Sequence, residues 1–235
     1  MALPFFFSEE INERSTQFVL NEETSKHVVQ VLRMQAGEQL KLTDGKGNIF
    51  LTEIIDDHKK KCTVRLLSST HQPSPVRKIS IAISLIKNTN RFEWFLEKAT
   101  EIGVAEIIPL ICERTEKNSF KSERMKSILI SAMLQSQQCW LPVLHEPTKF
   151  EKVVHSVTQQ QKFIAHCIED AKRNLLDVNN ESLFSKIILI GPEGDFTRTE
   201  IELALQQQFI AVMLGETRLR TETAGMVAAG LLCIG

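Results

Sequence analysis

A short, mostly apolar run, Lys186-Ile187-Ile188-Leu189-Ile190, leads into Gly191-Pro192-Glu193-Gly194 and then into Thr197-Arg198-Thr199-Glu200. No other stretch restricts the fold as much. An apolar run without alternation reads as a strand buried on both faces, as in a parallel sheet. Thr197 with Glu200 three residues later is a capping box, so a helix starts directly after the loop. The loop therefore lies at the carboxyl end of a parallel strand, where open α/β sheets take their ligands. Gly191 and Gly194 permit a close backbone approach, and Pro192 stiffens the turn. An ordinary strand-loop-helix connection carries the same local signals, so this stretch alone leaves a binding site and a plain connection both open.

A second passage of the same kind follows. Residues 210–214 read as a strand that ends at Gly215, a polar loop comes next, and Thr221 can cap a helix. The two strands are expected to be neighbours, so that their glycine-bearing loops wrap a small ligand with backbone N–H and C=O groups. The helix itself, "TETAGMVAAGLLCIG", is apolar nearly all round and rich in small residues. Such a helix should be buried, which means tucking the tail into the fold.

The remaining pattern divides at about residue 72. Residues 37–69 alternate, break at 44–47, resume, break at the charged stretch 56–61, and resume. That is a β-meander with hairpin turns. A helix over 22–32, with Val28, Val29 and Leu32 as its apolar face, precedes it, and a small barrel with one helix is the expected product. "HQPSPVRK" at 71–78 reads as a linker. Strands over 79–86, 105–111 and 163–167, with helices over 91–102 and 121–139, then alternate as in an α/β domain with a mainly parallel sheet. Gly103 is a C-cap for the first of these helices. The expected domains are 1–72 and 73–235.

Composition narrows the function. Apolar content of 43% and charged content of 24% fit a globular domain, and no apolar run is long enough for a bilayer. "MALPFFFSEE" lacks a basic start, so no signal peptide is expected. The five cysteines are odd in number and widely spaced, which points to reduced thiols in the cytoplasm and against a zinc site. The six histidines show no ligand spacing, so no metal is expected. A net charge of -1 argues against a polycationic nucleic-acid binder but leaves room for a local basic patch. The dinucleotide fingerprint, the P-loop and the nucleophile elbow are all missing.

"LIGPEGDFTRTEIELA" together with "LGETRLRTETAGMVAAG" resembles the signature of the RsmE family, the SPOUT-superfamily methyltransferases acting on N3 of a uridine in 16S ribosomal RNA. "KNTNRFEWFLEKATEIGVAEIIPLICERTE" and "HVVQVLRMQAGEQLKLTDGKG" extend the resemblance over essentially the whole chain. It implies a PUA-like barrel for RNA binding and a knotted SPOUT domain. It further implies a homodimer that binds S-adenosylmethionine and acts on small-subunit ribosomal RNA in ribosome biogenesis. Cofactor contacts then fall on His166, on Gly191, Glu193 and Gly194, on Leu214 and Gly215, and on Leu219, Arg220, Thr221, Thr223 and Ala224. RNA contacts fall on Arg33, Lys87, Arg91 and Arg114.

Two departures stand out: Gly194-Asp195 where many members have Gly-Gly, and "QSQQCWLP" where many carry an arginine. Uridine N3 reacts as an anion, and a cation aimed at its oxygens stabilises that charge. Arg220 is the catalytic candidate for this, and Glu222 either accepts the proton or orders the loop. An Arg220–Glu222 pair that only anchors the helix is the structural alternative. Another SPOUT reaction, on a ribose 2′-hydroxyl or a tRNA guanine, stays open. So does a non-catalytic assembly factor.

Overall fold

The computed structural model describes residues 3–14, 16–116, 119–168 and 172–234. The chain divides into two compact units, Met1–Ser74 with Met133–Leu141, and Pro75–Ala132 with Pro142–Gly235.

In the first unit the strands are β1 (Phe5–Phe7), β2 (Gln17–Val19), β3 (Gln39–Thr43), β4 (Asn48–Asp56) and β5 (Thr63–His71). They form one sheet in the order β1-β3-β4-β5-β2, with β1 parallel to β3 and the other pairs antiparallel. Alternate residues such as Leu40, Leu42, Phe50, Ile54 and Val64 make the core. The turn at 44–47 closes the β3–β4 hairpin, with Gly45 and Gly47 at φ 71° and 91°. A Cβ at Gly47 would also lie 2.4 Å from the Trp140 ring, so only glycine fits.

The helix expected over 22–32 is shorter and changes form. Helix α1 (Glu22–Lys26) is capped by Asn21, whose side chain accepts from Thr24 N–H, and a π-helical turn at His27–Val31 follows. Widening the turn buries Val28 but leaves Leu32 42% exposed, so Leu32 is not part of the apolar face. The segment Met133–Leu141, which the division at 72/73 leaves in the other domain, lies along this hairpin. Gly47 N–H donates to Cys139 O at 2.9 Å and Leu141 N–H to Gly45 O at 2.8 Å.

The second unit holds β6 (Lys78–Ser84), α2 (Thr89–Ile102), β7 (Glu106–Ile111), most of α3 (Ser122–Gln135), β8 (Val143–Leu144), β9 (Thr148–Lys149) and α4 (Phe150–Ser156). It continues with β10 (Gln161–Ala165), β11 (Arg173–Asn174), α5 (Leu175–Val178), β12 (Ser185–Ile190), α6 (Arg198–Gln206), β13 (Ile210–Met213) and α7 (Thr221–Cys233). The sheet runs β11-β13-β10-β12-β6-β7-β8, with β9 beside β7 and every pair parallel. Phe150, Val153, Phe196, Ile201 and Ala204 join one core with the sheet residues Ala82, Leu110, Ile164 and Leu189. Helix α7 packs on α2, β6 and β12. Gly103 ends α2 at φ 97°, as a left-handed C-cap.

Two expectations change. The strands over 186–190 and 210–214 are not neighbours, because β10 pairs with both and separates them. Helix α3 stops at Gln135 rather than reaching Cys139, since Gln137 turns to φ 58°.

Candidate functional site

The carboxyl ends of β10, β12 and β13 open on one side of the sheet into loops at 166–168, 191–197 and 214–220. Two adjoining cavities of about 300 and 390 Å³ lie among them and share Ala165, Cys167, Arg218, Leu219 and Ala224 as walls. Gly191, Glu193, Leu219, Arg220, Thr221 and Ala224 line the first. His166, Leu214, Gly215, Leu219 and Ala224 line the second. The interposed β10 thus contributes a third loop, and His166 at its end is 6% exposed.

The loop after β12 is fixed from several directions. Asp195 N–H donates to Pro192 O at 2.9 Å, which closes a turn with Asp195 at φ 64°. The Asp195 carboxylate accepts from Cys167 N–H at 2.8 Å and from Phe196 N–H at 2.9 Å, so it joins this loop to the end of β10. Thr221 Oγ1 donates to Gly191 O at 3.0 Å, tying the first residue of α7 to the same loop. Lys87 N–H donates to the Glu193 carboxylate at 3.2 Å, and Arg114 Nη1 to Gly194 O at 2.7 Å. The expected capping box is present: Thr197 Oγ1 accepts from Glu200 N–H, and Glu200 Oε2 accepts from Thr197 N–H.

Gly191 is needed for space, because a Cβ there would approach the Phe196 ring to 3.1 Å. Gly215 is needed for conformation. It sits at φ 152°, and nothing lies within 4 Å of where its Cβ would be.

Some expected residues lie apart from the cavities. Gly194, Glu222 and Thr223 are not among the lining residues of either. Glu222 is 7% exposed, its Oε1 lies 3.6 Å from Arg91 Nε, and its buried Oε2 has no hydrogen-bond partner among the described residues. The pair that forms is therefore Arg91–Glu222, joining the starts of α2 and α7, while Arg220 is exposed at the cavity rim. Lys87 pairs with Glu116 at 3.0 Å, with both side chains largely exposed. Arg33 is exposed in the first unit at φ 58°.

Residues not anticipated are Ala165, Cys167, Ile190, Asp195, Lys172 and Arg218. The signal for Ala165 and Cys167 was the end of the strand over 163–167, which carries no glycine to draw attention, while Asp195 and Arg218 lie within the two expected loops. The cysteines elsewhere are quiet. Burial pushes the Cys112 thiol up to about 12, helped by the nearby Glu200 charge, and pushes Cys62 and Cys233 to about 11. Buried neutral thiols of this kind are poor nucleophiles and poor metal ligands. Among the described residues no three His, Cys, Asp or Glu side chains are grouped to hold a metal ion. No described helix is long and apolar enough to cross a membrane.

Residues 72–233 match the family model of an RNA methyltransferase domain, and residues 20–67 that of an RNA methyltransferase PUA domain. The ribosomal RNA small subunit methyltransferase E of Synechocystis sp. is 32% identical over 86% of this chain and 68% of its own length. The chain belongs to the ribosomal RNA small subunit methyltransferase E family.

Two solved structures extend the likeness to three dimensions. One is of a "probable rRNA-methyltransferase" from Porphyromonas gingivalis, with TM-score 0.90 and 39% identity over 97% of this chain and 95% of that one. The other is of the Neisseria gonorrhoeae ribosomal RNA small subunit methyltransferase E bound to S-adenosyl methionine, with TM-score 0.85 and 27% identity over 97% and 96%. The departure at Gly194-Asp195 noted in the sequence falls on a special backbone position. That position, Asp195, has φ 64°, where glycine is least strained and aspartate is tolerated. This chain accepts the strain and uses the carboxylate to fasten the loop.

Proposed function

We propose that this protein methylates N3 of a uridine in the 16S RNA of the small ribosomal subunit, with S-adenosylmethionine as methyl donor. The observation that carries the reading is the pair of adjoining cavities at the carboxyl ends of three parallel strands, walled by the family's signature loops. Their volumes fall in the range of about 300–1,000 Å³ usual for small-molecule sites. The donor set also fits such a group. Loop backbone and the apolar Ile190, Leu214 and Leu219 form the walls, and the open space beside the α-carbon of Gly215 is one a side chain would fill.

Gly191, Glu193 and Gly194, His166, Leu214 and Gly215, and the segment with Leu219, Arg220, Thr221, Thr223 and Ala224 are the residues that would hold it. When bound, S-adenosylmethionine supplies an electrophilic methyl group on a sulfonium, and the protein's task is alignment of donor and acceptor. Arg220 stands exposed at the cavity rim and ends immediately before α7, so its guanidinium and the helix N-terminus both present positive charge there. It is the group for the charge on O2 and O4 of the uridine anion. Glu222 acts at one remove: sealed against Arg91, it orders the first turn of α7 and with it the Arg220 backbone.

Residues 1–72 form the RNA-binding PUA-like domain and 73–235 the SPOUT domain in this reading. Arg33, Lys87 and Arg91 are phosphate contacts. The segment after β13 returns past β10 and β12 to place α7 on β6, with Thr221 bonded to the loop of β12, which supports a trefoil knot. The protein works as a homodimer in the cytoplasm, where ribosomal subunits are made. The test uses small subunits from cells lacking the protein, labelled S-adenosylmethionine and mass mapping of the RNA. One N3-methyluridine is expected. Label on a ribose oxygen or a guanine, or no transfer, overturns the reading.

A further inference from the structure

Strands β7 and β12 are not neighbours, because β6 lies between them. Yet the turn at 112–116, which follows β7, grips the segment after β12 at two points, one on α6 and one on the loop before it. Glu113 N–H donates to Glu200 Oε1 at 2.9 Å, and Arg114 Nη1 donates to Gly194 O at 2.7 Å. The turn is itself braced. Thr115 Oγ1 accepts from Cys112 N–H at 2.8 Å and lies 2.9 Å from the hydroxyl of Ser84 at the end of β6. Glu200 is doubly used, since its other oxygen completes the capping box of α6. The stem of Arg114 lies over Gly194, where a Cβ would meet Arg114 Cδ at 3.3 Å. A side chain at 194 would therefore have to displace the Arg114 stem by a few tenths of an ångström.

We infer that Arg114 is a positioning residue for the loop 191–196, forming with Glu200 a two-point latch across β6, and that its contribution is to cofactor binding rather than to RNA phosphates. The inference rests on the reading of that loop as the cofactor's. A charge-assisted hydrogen bond to a loop carbonyl, made from a braced turn, holds the loop in its binding shape before the ligand arrives. Without it the loop spends part of its time elsewhere, and apparent affinity falls by the fraction lost.

Two measurements on Arg114→Ala test this in the full-length protein. In the cofactor-free state, the backbone amides of 191–196 should exchange with solvent several-fold faster than in wild type, while the unfolding midpoint stays in place. By calorimetry, the Kd for S-adenosylmethionine should rise about tenfold, and Arg114→Lys, which keeps a donor, should recover part of it. The salt dependence of binding to small-subunit RNA should be unchanged, whereas loss of a phosphate contact lowers that slope by about 1. Unchanged exchange at 191–196 overturns the latch. So does a cofactor Kd within twofold of wild type, whatever RNA binding does. Should wild type itself bind no S-adenosylmethionine, the assignment of the loop to that cofactor falls, and the exchange comparison alone decides whether the latch exists.

Discussion

At Gly225 there is no room for a side chain: a Cβ would lie 2.7 Å from the Phe95 ring and 2.9 Å from Ile83. Gly225→Ala should therefore cost about 1–3 kcal/mol by overpacking α7 on α2 and β6, read as a lower denaturant midpoint with an unchanged slope. Gly215 behaves differently. Space is open there but φ is 152°, so Gly215→Val should leave the fold intact and weaken S-adenosylmethionine binding by more than tenfold, roughly the 1–3 kcal/mol of a strained backbone site. Wild-type affinity by calorimetry would show the cofactor site to be misplaced. Arg220→Lys separates binding from chemistry. Lysine keeps the charge but loses the planar fork, so turnover should fall by about 10²-fold with cofactor Kd nearly unchanged. Raising the pH should partly rescue it, because hydroxide then removes the N3 proton. Loss of cofactor binding without rescue would make Arg220 an anchor for α7.

Helices α2 and α3 are joined by a fork of two hydrogen bonds, from Arg124 Nε and Nη2 to the Glu93 carboxylate at 2.5 and 2.7 Å. The hydrogen bond and charge of Arg124 hold the Glu93 carboxyl below its usual range. A depressed carboxylate stabilises the fold above its unfolded pKa and loses that contribution as pH falls through the folded value. Arg124→Met should accordingly melt below wild type at pH 7, and the gap should narrow as the pH falls below the ordinary carboxylate range. A constant gap across that window would show the fork to be electrostatically idle. Local signals were enough to place most elements. The capping box at Thr197 and Glu200 and the C-cap at Gly103 are each decided within four residues of chain. The end of α3 was not legible, because its periodicity continues past Gln135 while the backbone leaves to pair with the hairpin at 44–47.

Helix α7 is the part of the molecule whose two sides are treated unequally. Gly225, Ala228, Ala229 and Leu232 are buried against the chain, while Met226, Val227 and Leu231 are only half covered and Ile234 is 73% exposed. In the proposed homodimer this apolar strip, on a helix that lines the binding site, is where a second copy would pack. Light scattering at micromolar concentration should give twice the mass of one chain, and Val227→Glu should halve it. A monomeric wild type would refute the dimer.

Periodicity and cap chemistry are short-range, so the sequence by itself determined the hairpin strands, the long strands of the parallel sheet, the helices α2, α6 and α7 and the two glycine loops, while the short β1, β2, β8, β9 and β11 and the helices α4 and α5 were not read. The family signature then placed these loops in one site. Which strands lie side by side depends on pairing between residues 25 to 107 positions apart, and no local pattern records it. Hence β10, with no glycine at its end, came between β12 and β13 and brought Cys167 into the site. For the same reason Glu222 met Arg91 instead of Arg220: Arg220 lies in extended backbone just before α7 and is exposed, and the partner came from the start of another helix. The grip of Arg114 on Gly194 spans eighty positions of sequence and the width of β6. Only the folded sheet brings that turn and that loop together.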